Sequence, residues 1–323
     1  MKKVVVGMLV LLMICSTVFF AGCRRTASTS GQKRVLFIAR TQGDTFAAWL
    51  RTSMEEEARK YPNISLTSQD GQSNDQQIAD FVDNGIANRY DVIVLQPQNT
   101  EAQRPPAERA VAAGIPLVTV NLRIPGMENV SHSVDASPYE QGGVCARLGV
   151  TQIPQGARVV VLNGPAAHPH SNERRRAWQE IFFNQRPDVV KLAEDYANWN
   201  KDEGMKLMED WVQAYGRIDA VIAMNDNMAT GAIEVIKNNP AFNNLLVYGV
   251  DGTAEAALLI QEGKMTATSF QNAFALAENS MRLINAIVTG TQSGFTNMDI
   301  DCPLITRDNV QSLIETHRRA GSL

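Results

Sequence analysis

The 323 residues carry 30 Lys and Arg against 34 Asp and Glu, a formal net charge of −4, with 20% charged and 44% hydrophobic side chains. That balance offers no basic field for nucleic acid, and roughly 300 residues beyond an N-terminal leader suit two lobes better than one small core. The 4 cysteines stand without CxxC spacing, and the chain has no Walker loop, no HExxH and no zinc spacing, so no metal or cofactor is expected.

Lys2 and Lys3 precede an uncharged apolar run, Val4 to Ala21, that ends in Phe20-Ala21-Gly22-Cys23. A positive start, a short apolar stretch and small residues before a cut site describe a signal peptide over 1–22. The small–small–Cys ending points to a lipoprotein signal, with Cys23 as the lipidated first mature residue; a leucine usually stands where Phe20 does. A membrane-spanning anchor is the rival reading of the run. The Ser- and Thr-rich stretch over 23–32 fits a flexible tether that buries too little apolar surface to fold. The product is expected in the periplasm or outside the cell, held on a membrane through lipid. Of the other cysteines, Cys15 leaves with the leader. Cys145 and Cys302 read as small buried hydrophobes, with a disulfide between them as the alternative.

From Arg34 onward, short β-branched runs alternate with amphipathic stretches. Strands are predicted over Val35–Ala39, Ile64–Ser68, Val92–Leu95 and Ile115–Val120, and helices over Phe46–Tyr61, Asp75–Asn88 and Thr100–Ala113. A second series places strands at Val159–Leu162, Val189–Ala193, Ala220–Ala223 and Leu246–Val250, and helices at Glu173–Gln185, Lys201–Tyr215 and Met228–Asn238. This alternation means βαβ units, parallel sheets covered on both faces, and two doubly wound α/β lobes in tandem. In such sheets ligands bind beyond the carboxyl ends of the strands.

Those ends are polar. The first strand leads to Gly43-Asp44-Thr45-Phe46 and the third to Gln96-Pro97-Gln98-Asn99. The second series leads to His168-Pro169-His170-Ser171-Asn172-Glu173-Arg174, then Trp199, Asn225-Asp226 and Asp251-Gly252, with Gln271 after a further run. A hydroxyl donates and accepts at once, so carboxylates and amides fix it in space, and charged partners bind it harder. Phe46 and Trp199 offer flat faces to the C–H sides of a sugar ring. The duller readings are that Asp226 caps the following helix, that Phe46 and Trp199 are core, and that Arg174 to Arg176 form a solvated face.

At these residues the chain resembles the periplasmic binding proteins of the ribose/galactose type, and within them the galactose/glucose binders. The likeness runs from Arg34 almost to the C-terminus and is most specific at GDTF (43–46), HPHSNER (168–174), VIAMNDNMATGAIEVI (221–236) and VYGVDGTAEAALLIQEG (247–263). The resemblance implies a type I fold of two lobes joined by a three-segment hinge, crossing near 129–135, 271–273 and 300–303. The first lobe is expected over 33–134 plus 272–300, the second over 135–271 plus 301–323. It further implies that Asp44, Phe46, Gln96, His168, His170, Arg174, Trp199, Asn225, Asp251 and Gln271 bind the ligand. His170 stands where the hexose binders have an aspartate, and Gln96 and Gln271 replace asparagines. The hexose binders' calcium loop is represented by Gln152 to Ala157, which has no carboxylate, so no calcium is expected there. The implied function is capture of a monosaccharide, an aldohexose first, by a monomer that closes on it and delivers it to an ABC permease. A pentose, inositol or other polyol is the alternative ligand, and a chemoreceptor an alternative partner. A glycoside hydrolase using Asp44 and Asp251 is the remote rival.

Overall fold

The computed structural model describes residues 31–323, so the readings of 1–22, of Cys23 and of nearly all of 23–32 lie outside the described residues. The first half of the chain runs β1 (Lys33–Ala39), α1 (Thr45–Ala58), β2 (Ile64–Asp70), α2 (Asp75–Ala87), β3 (Val92–Leu95), α3 (Thr100–Ala112), β4 (Leu117–Asn121) and β5 (His132–Asp135). The second runs α4 (Pro138–Gln152), β6 (Arg158–Asn163), α5 (Pro169–Ala177), β7 (Val190–Tyr196), α6 (Lys201–Tyr215), β8 (Ala220–Ala223), α7 (Asp226–Ile236), β9 (Leu246–Val250), α8 (Ala254–Gln261) and β10 (Ala267–Ser269). Then follow α9 (Ala273–Val288), β11 (Asn297–Asp299), β12 (Leu304–Ile305) and α10 (Val310–Arg319). After α5 the helix continues as a π-helical turn, Trp178–Phe183.

These strands form two sheets, β11-β5-β4-β3-β1-β2 and β12-β10-β9-β8-β6-β7. Every pairing is parallel except β10 with β12. Each sheet contains a doubly wound 2-1-3-4-5 order with its switch point beside the first strand of its series. The chain passes to the second sheet after β5, returns after β10 and leaves again after β11, which makes a three-segment connection. The fold is that of a type I periplasmic binding protein.

Side-chain alternation explains why the strands read as continuous apolar runs. In β1, Val35, Phe37 and Ala39 pack with Leu50 and Met54 of α1 and Leu276 and Met281 of α9. Leu36 and Ile38 face the other way, onto Ile78 and Val82 of α2 and Ala107 and Ala110 of α3. The second sheet buries a continuous core that includes Trp178, Phe182, Tyr248 and Met228. Cys145 is buried in that core and Cys302 half-buried, and both are free thiols.

Candidate functional site

Loops at the carboxyl ends of both sheets converge on one cleft, whose side chains leave about 20 Å³ of free space between them. Its walls are Arg40, Asp44, Phe46, Asn121, His168, His170, Arg174, Trp199, Asn225, Asp251 and Gln271. All the residues expected from the sequence therefore meet here except Gln96. That side chain is fully buried behind Arg40, whose backbone N–H it accepts at 3.2 Å. Two wall residues were missed, Arg40 and Asn121. Both directly follow or end a strand, so the strand-end rule itself was the signal that could have found them.

Helix capping places several of these groups. Asp44 caps α1 by accepting from the Ala47 N–H at 2.8 Å, and its other oxygen takes the Arg40 guanidinium. Asn225 caps α7 through the Met228 N–H at 3.0 Å. The expected cap, Asp226, lies one residue inside the helix. It accepts from the Thr253 N–H at 2.8 Å and the Thr268 hydroxyl at 2.7 Å, tying α7 to β10 and the loop before α8. The reason is register: Asn225 already has extended backbone, so its side chain is the one that reaches the first free N–H groups. Gly249 leaves room for this carboxylate, since a Cβ there would sit 2.3 Å from Asp226 Oδ1. Burial pushes Asp226 up to about 7.

Arg174 is buried, 3% exposed, and tied to four other residues. Its Nη1 donates to the Met224 carbonyl at 2.6 Å, and Nε and Nη2 donate to Gln141 Oε1 at 2.9 and 2.7 Å. Nη2 also donates to Gln271 and lies 3.5 Å from Asp251 Oδ1. Gln271 in turn donates to Asn121, so its extra methylene bridges the two lobes. Gln141 left no trace in the sequence because it sits in the first turn of α4 with no motif around it. Burial drives the Asp251 carboxyl well above the usual carboxylate range, while Arg174 pulls it back.

The aromatic wall is built from the backbone. Gly164 lets the Trp199 indole lie flat on the chain, and Arg174 stands 5.4 Å over that ring. His168 meets the same indole edge-on at 5.6 Å, and Phe46, 5% exposed, abuts Trp49 at 5.9 Å. Asn121, Trp199 and Asp251 have φ of 71°, 64° and 122°, left-handed values that cost of order 1–3 kcal/mol each where side chains are bulky. Strain of this kind gathered on one cleft is a mark of function.

His168 Nδ1 accepts the His170 N–H at 3.2 Å, which leaves the proton of the neutral ring on Nε2. Among the described residues, that Nε2 and Trp199 Nε1 are buried without a protein partner, and His170, whose ring meets the Asn121 backbone with one nitrogen, leaves the other unpartnered. Burial, reinforced by Arg40 and Arg174, holds His168 well below its ordinary pKa; burial, then Arg174, His168 and Arg40, does the same for His170. A depressed imidazole pKa means that the unfolded chain binds more protons below about pH 6.5, so acidification favours unfolding. The raised Asp226 and Asp251 act oppositely, contributing stability at low pH that is lost as pH rises through their folded values. A His168→Gln, His170→Gln double variant isolates the imidazole contribution. From pH 6.5 to 5 the wild type should lose up to about 1.4 kcal/mol per pH unit per histidine relative to it, read by urea unfolding. Parallel stability–pH curves would contradict this.

Across the mouth, Thr45 on α1 donates to Asn227 Oδ1 on α7 at 2.9 Å, and Asn227 Nδ2 donates to the Trp199 carbonyl at 3.3 Å. Thr45→Val should weaken binding only a few-fold, the worth of about 0.5–1.5 kcal/mol for one hydrogen bond. Calorimetry showing an unchanged or hundredfold weaker affinity would refute that role.

A family model described as a periplasmic binding protein domain matches residues 35–292. A xylitol-binding protein of Mycolicibacterium smegmatis is 29% identical over 299 residues, covering 91% of this chain and 83% of its own. A putative rhizopine-binding protein of Rhizobium meliloti is 25% identical over 291 residues, 87% of this chain and 89% of its own. Among solved structures, an ABC transporter solute binding protein from Bacillus halodurans with bound myo-inositol superposes with TM-score 0.83 at 25% identity, covering 90% of this chain and 99% of that one.

Proposed function

The chain belongs to the periplasmic binding protein domain family, extracytoplasmic solute-binding components of transport rather than enzymes, and from that premise we propose that it captures a small neutral polyol or sugar between its lobes and passes it to an ABC permease. The observation that carries the reading is the set of unpartnered ring nitrogens, from His168, His170 and Trp199, in a cleft whose two guanidiniums each face a carboxyl group. A neutral imidazole offers a donor and an acceptor, the complement of a hydroxyl. An anionic ligand would have to sit against Asp44 and Asp251, so a sugar phosphate or sugar acid is disfavoured.

The ten residues named from the sequence, with Arg40 and Asn121 added, are the proposed contacts, Gln96 acting from behind Arg40. An aldohexose has no special support. The relatives above are named for xylitol and rhizopine, and the superposed structure holds myo-inositol. Pentitols, pentoses and inositols therefore lead the candidate list. The lipid anchor on Cys23 and the monomeric state belong to the same proposal, and a chemoreceptor is a further partner. Hydrolysis by Asp44 and Asp251 is disfavoured because Asp44 is committed to a helix cap and to Arg40.

A thermal-shift screen against pentitols, pentoses, inositols and aldohexoses tests the reading. Stabilisation by RT ln(1 + [L]/Kd) gives about 2.7 kcal/mol at a hundredfold excess over Kd. A flat response to every neutral polyol and sugar, or turnover of aryl glycosides, would overturn it.

A further inference from the structure

We propose that the cleft contains a second subsite outside the inner pocket, shaped for a polyhydroxylated unit attached to the first, so that the physiological ligand is a glycoside or similar two-unit polyol. This rests on the polyol reading of the inner pocket. Beyond that pocket the lips form an outer chamber with about 320 Å³ of free space, against about 20 Å³ within. Small-molecule sites usually span about 300–1,000 Å³, so the outer chamber lies at the lower end of that range and the inner pocket far below it.

Both cavities share Arg40, Asp44, His168 and Trp199 as a common wall. Two of these carry buried unpartnered donors, His168 Nε2 and Trp199 Nε1, on residues only 6% exposed. A donor on the partition between two spaces suits the oxygen that links two units.

The chamber's outer wall has the same chemistry as a sugar site. Ser73, Gln98 and Asn99 come from the first lobe, and Pro165, Ala167 and Asn198 from the second. Hydroxyl and amide groups thus stand opposite small apolar surfaces, the pattern a ring with hydroxyl edges and C–H faces requires. Asp75, the outer wall's own carboxylate, is taken by Asn99 Nδ2 at 3.1 Å and Gln103 Nε2 at 3.0 Å. Among the described residues no unpaired cation lines it to call for a phosphate or carboxylate.

Calorimetric titration of the full chain with matched pairs tests the proposal: myo-inositol against galactinol, D-galactose against melibiose, and D-ribose against a glucosyl-ribose. The expected result is that, in at least one pair, the two-unit member binds tenfold or more tighter. Ala167→Phe, an exposed turn position that fills the chamber, should then remove that gain and leave the single-unit affinity unchanged. Equal or weaker binding of every two-unit member, with single units still bound, would overturn the second subsite while the polyol reading stands. A gain that survives Ala167→Phe would overturn it as well. Failure of every member of every pair to bind, with no binding of a pentitol such as xylitol either, would overturn both readings.

Discussion

Arg174→Ala should abolish measurable ligand binding and lower the unfolding free energy by about 3–5 kcal/mol, the usual effect of breaking a buried charged network from one side. The guanidinium is 3% exposed and serves Met224, Gln141, Gln271 and Asp251 together. Its removal strands the Gln141 and Gln271 amide oxygens and leaves the Asp251 carboxyl, already pushed up by burial, without its nearest cation. Lysine should rescue little, since one ammonium cannot reproduce a planar fork that serves several acceptors. Adding Asp251→Asn to Arg174→Ala should recover little stability and none of the binding, because a buried carboxyl that has lost its cation takes up a proton and is already neutral. Urea unfolding and calorimetry read the two effects separately. An unfolding free energy within about 1 kcal/mol of wild type for Arg174→Ala would refute the network's importance.

Gly164→Ala should weaken binding by about 30-fold or more without touching any ligand directly. The new Cβ would lie 2.3 Å from Cη2 and Cζ2 of Trp199, so the indole must leave the backbone it rests on. Trp199→Ala should show the same loss, at least about 2 kcal/mol, which corresponds to that fold-change. Trp199→Phe should recover part of it by restoring a flat face. Parallel losses in the two substitutions identify the indole as the stacking wall. Wild-type affinity in Gly164→Ala would show that the ring's position is immaterial.

Much of this architecture is legible in the sequence because parallel strands covered on both faces carry uninterrupted apolar runs, as at Val92–Leu95 and Ala220–Ala223. Helices α8, α9 and α10 were not predicted, although α9 and α10 carry a regular apolar face; other elements that escaped lack a clear signal. Strand β5, His-Ser-Val-Asp, is buried yet mostly polar, and β12 has only 2 residues. Helix α4 starts at Pro138 and carries Gly142 and Gly143, which mask its periodicity. Gly142 has a structural reason, since a Cβ there would stand 2.5 Å from the Arg174 carbonyl. At the site, residues projecting from strand ends were readable one by one. The sequence could not show which of them spend their polar atoms on each other. Asp44 divides itself between a helix cap and Arg40, Gln96 is hidden behind Arg40, and Gln271 spans the lobes. Those assignments depend on contacts between distant segments, and among the described residues they leave imidazole and indole nitrogens as unpartnered polar atoms of the cleft.

The most direct test of the polyol-capture account is calorimetric titration of the best neutral ligand from the thermal-shift screen beside its phosphate ester. Capture by paired charges and neutral imidazoles predicts one site per chain and a phosphate ester weaker by about 100-fold or more, equivalent to about 2.7 kcal/mol. Equal or tighter binding of the phosphate ester would contradict the account, because it would require a free cation in a cleft where Arg40 and Arg174 are already faced by Asp44 and Asp251.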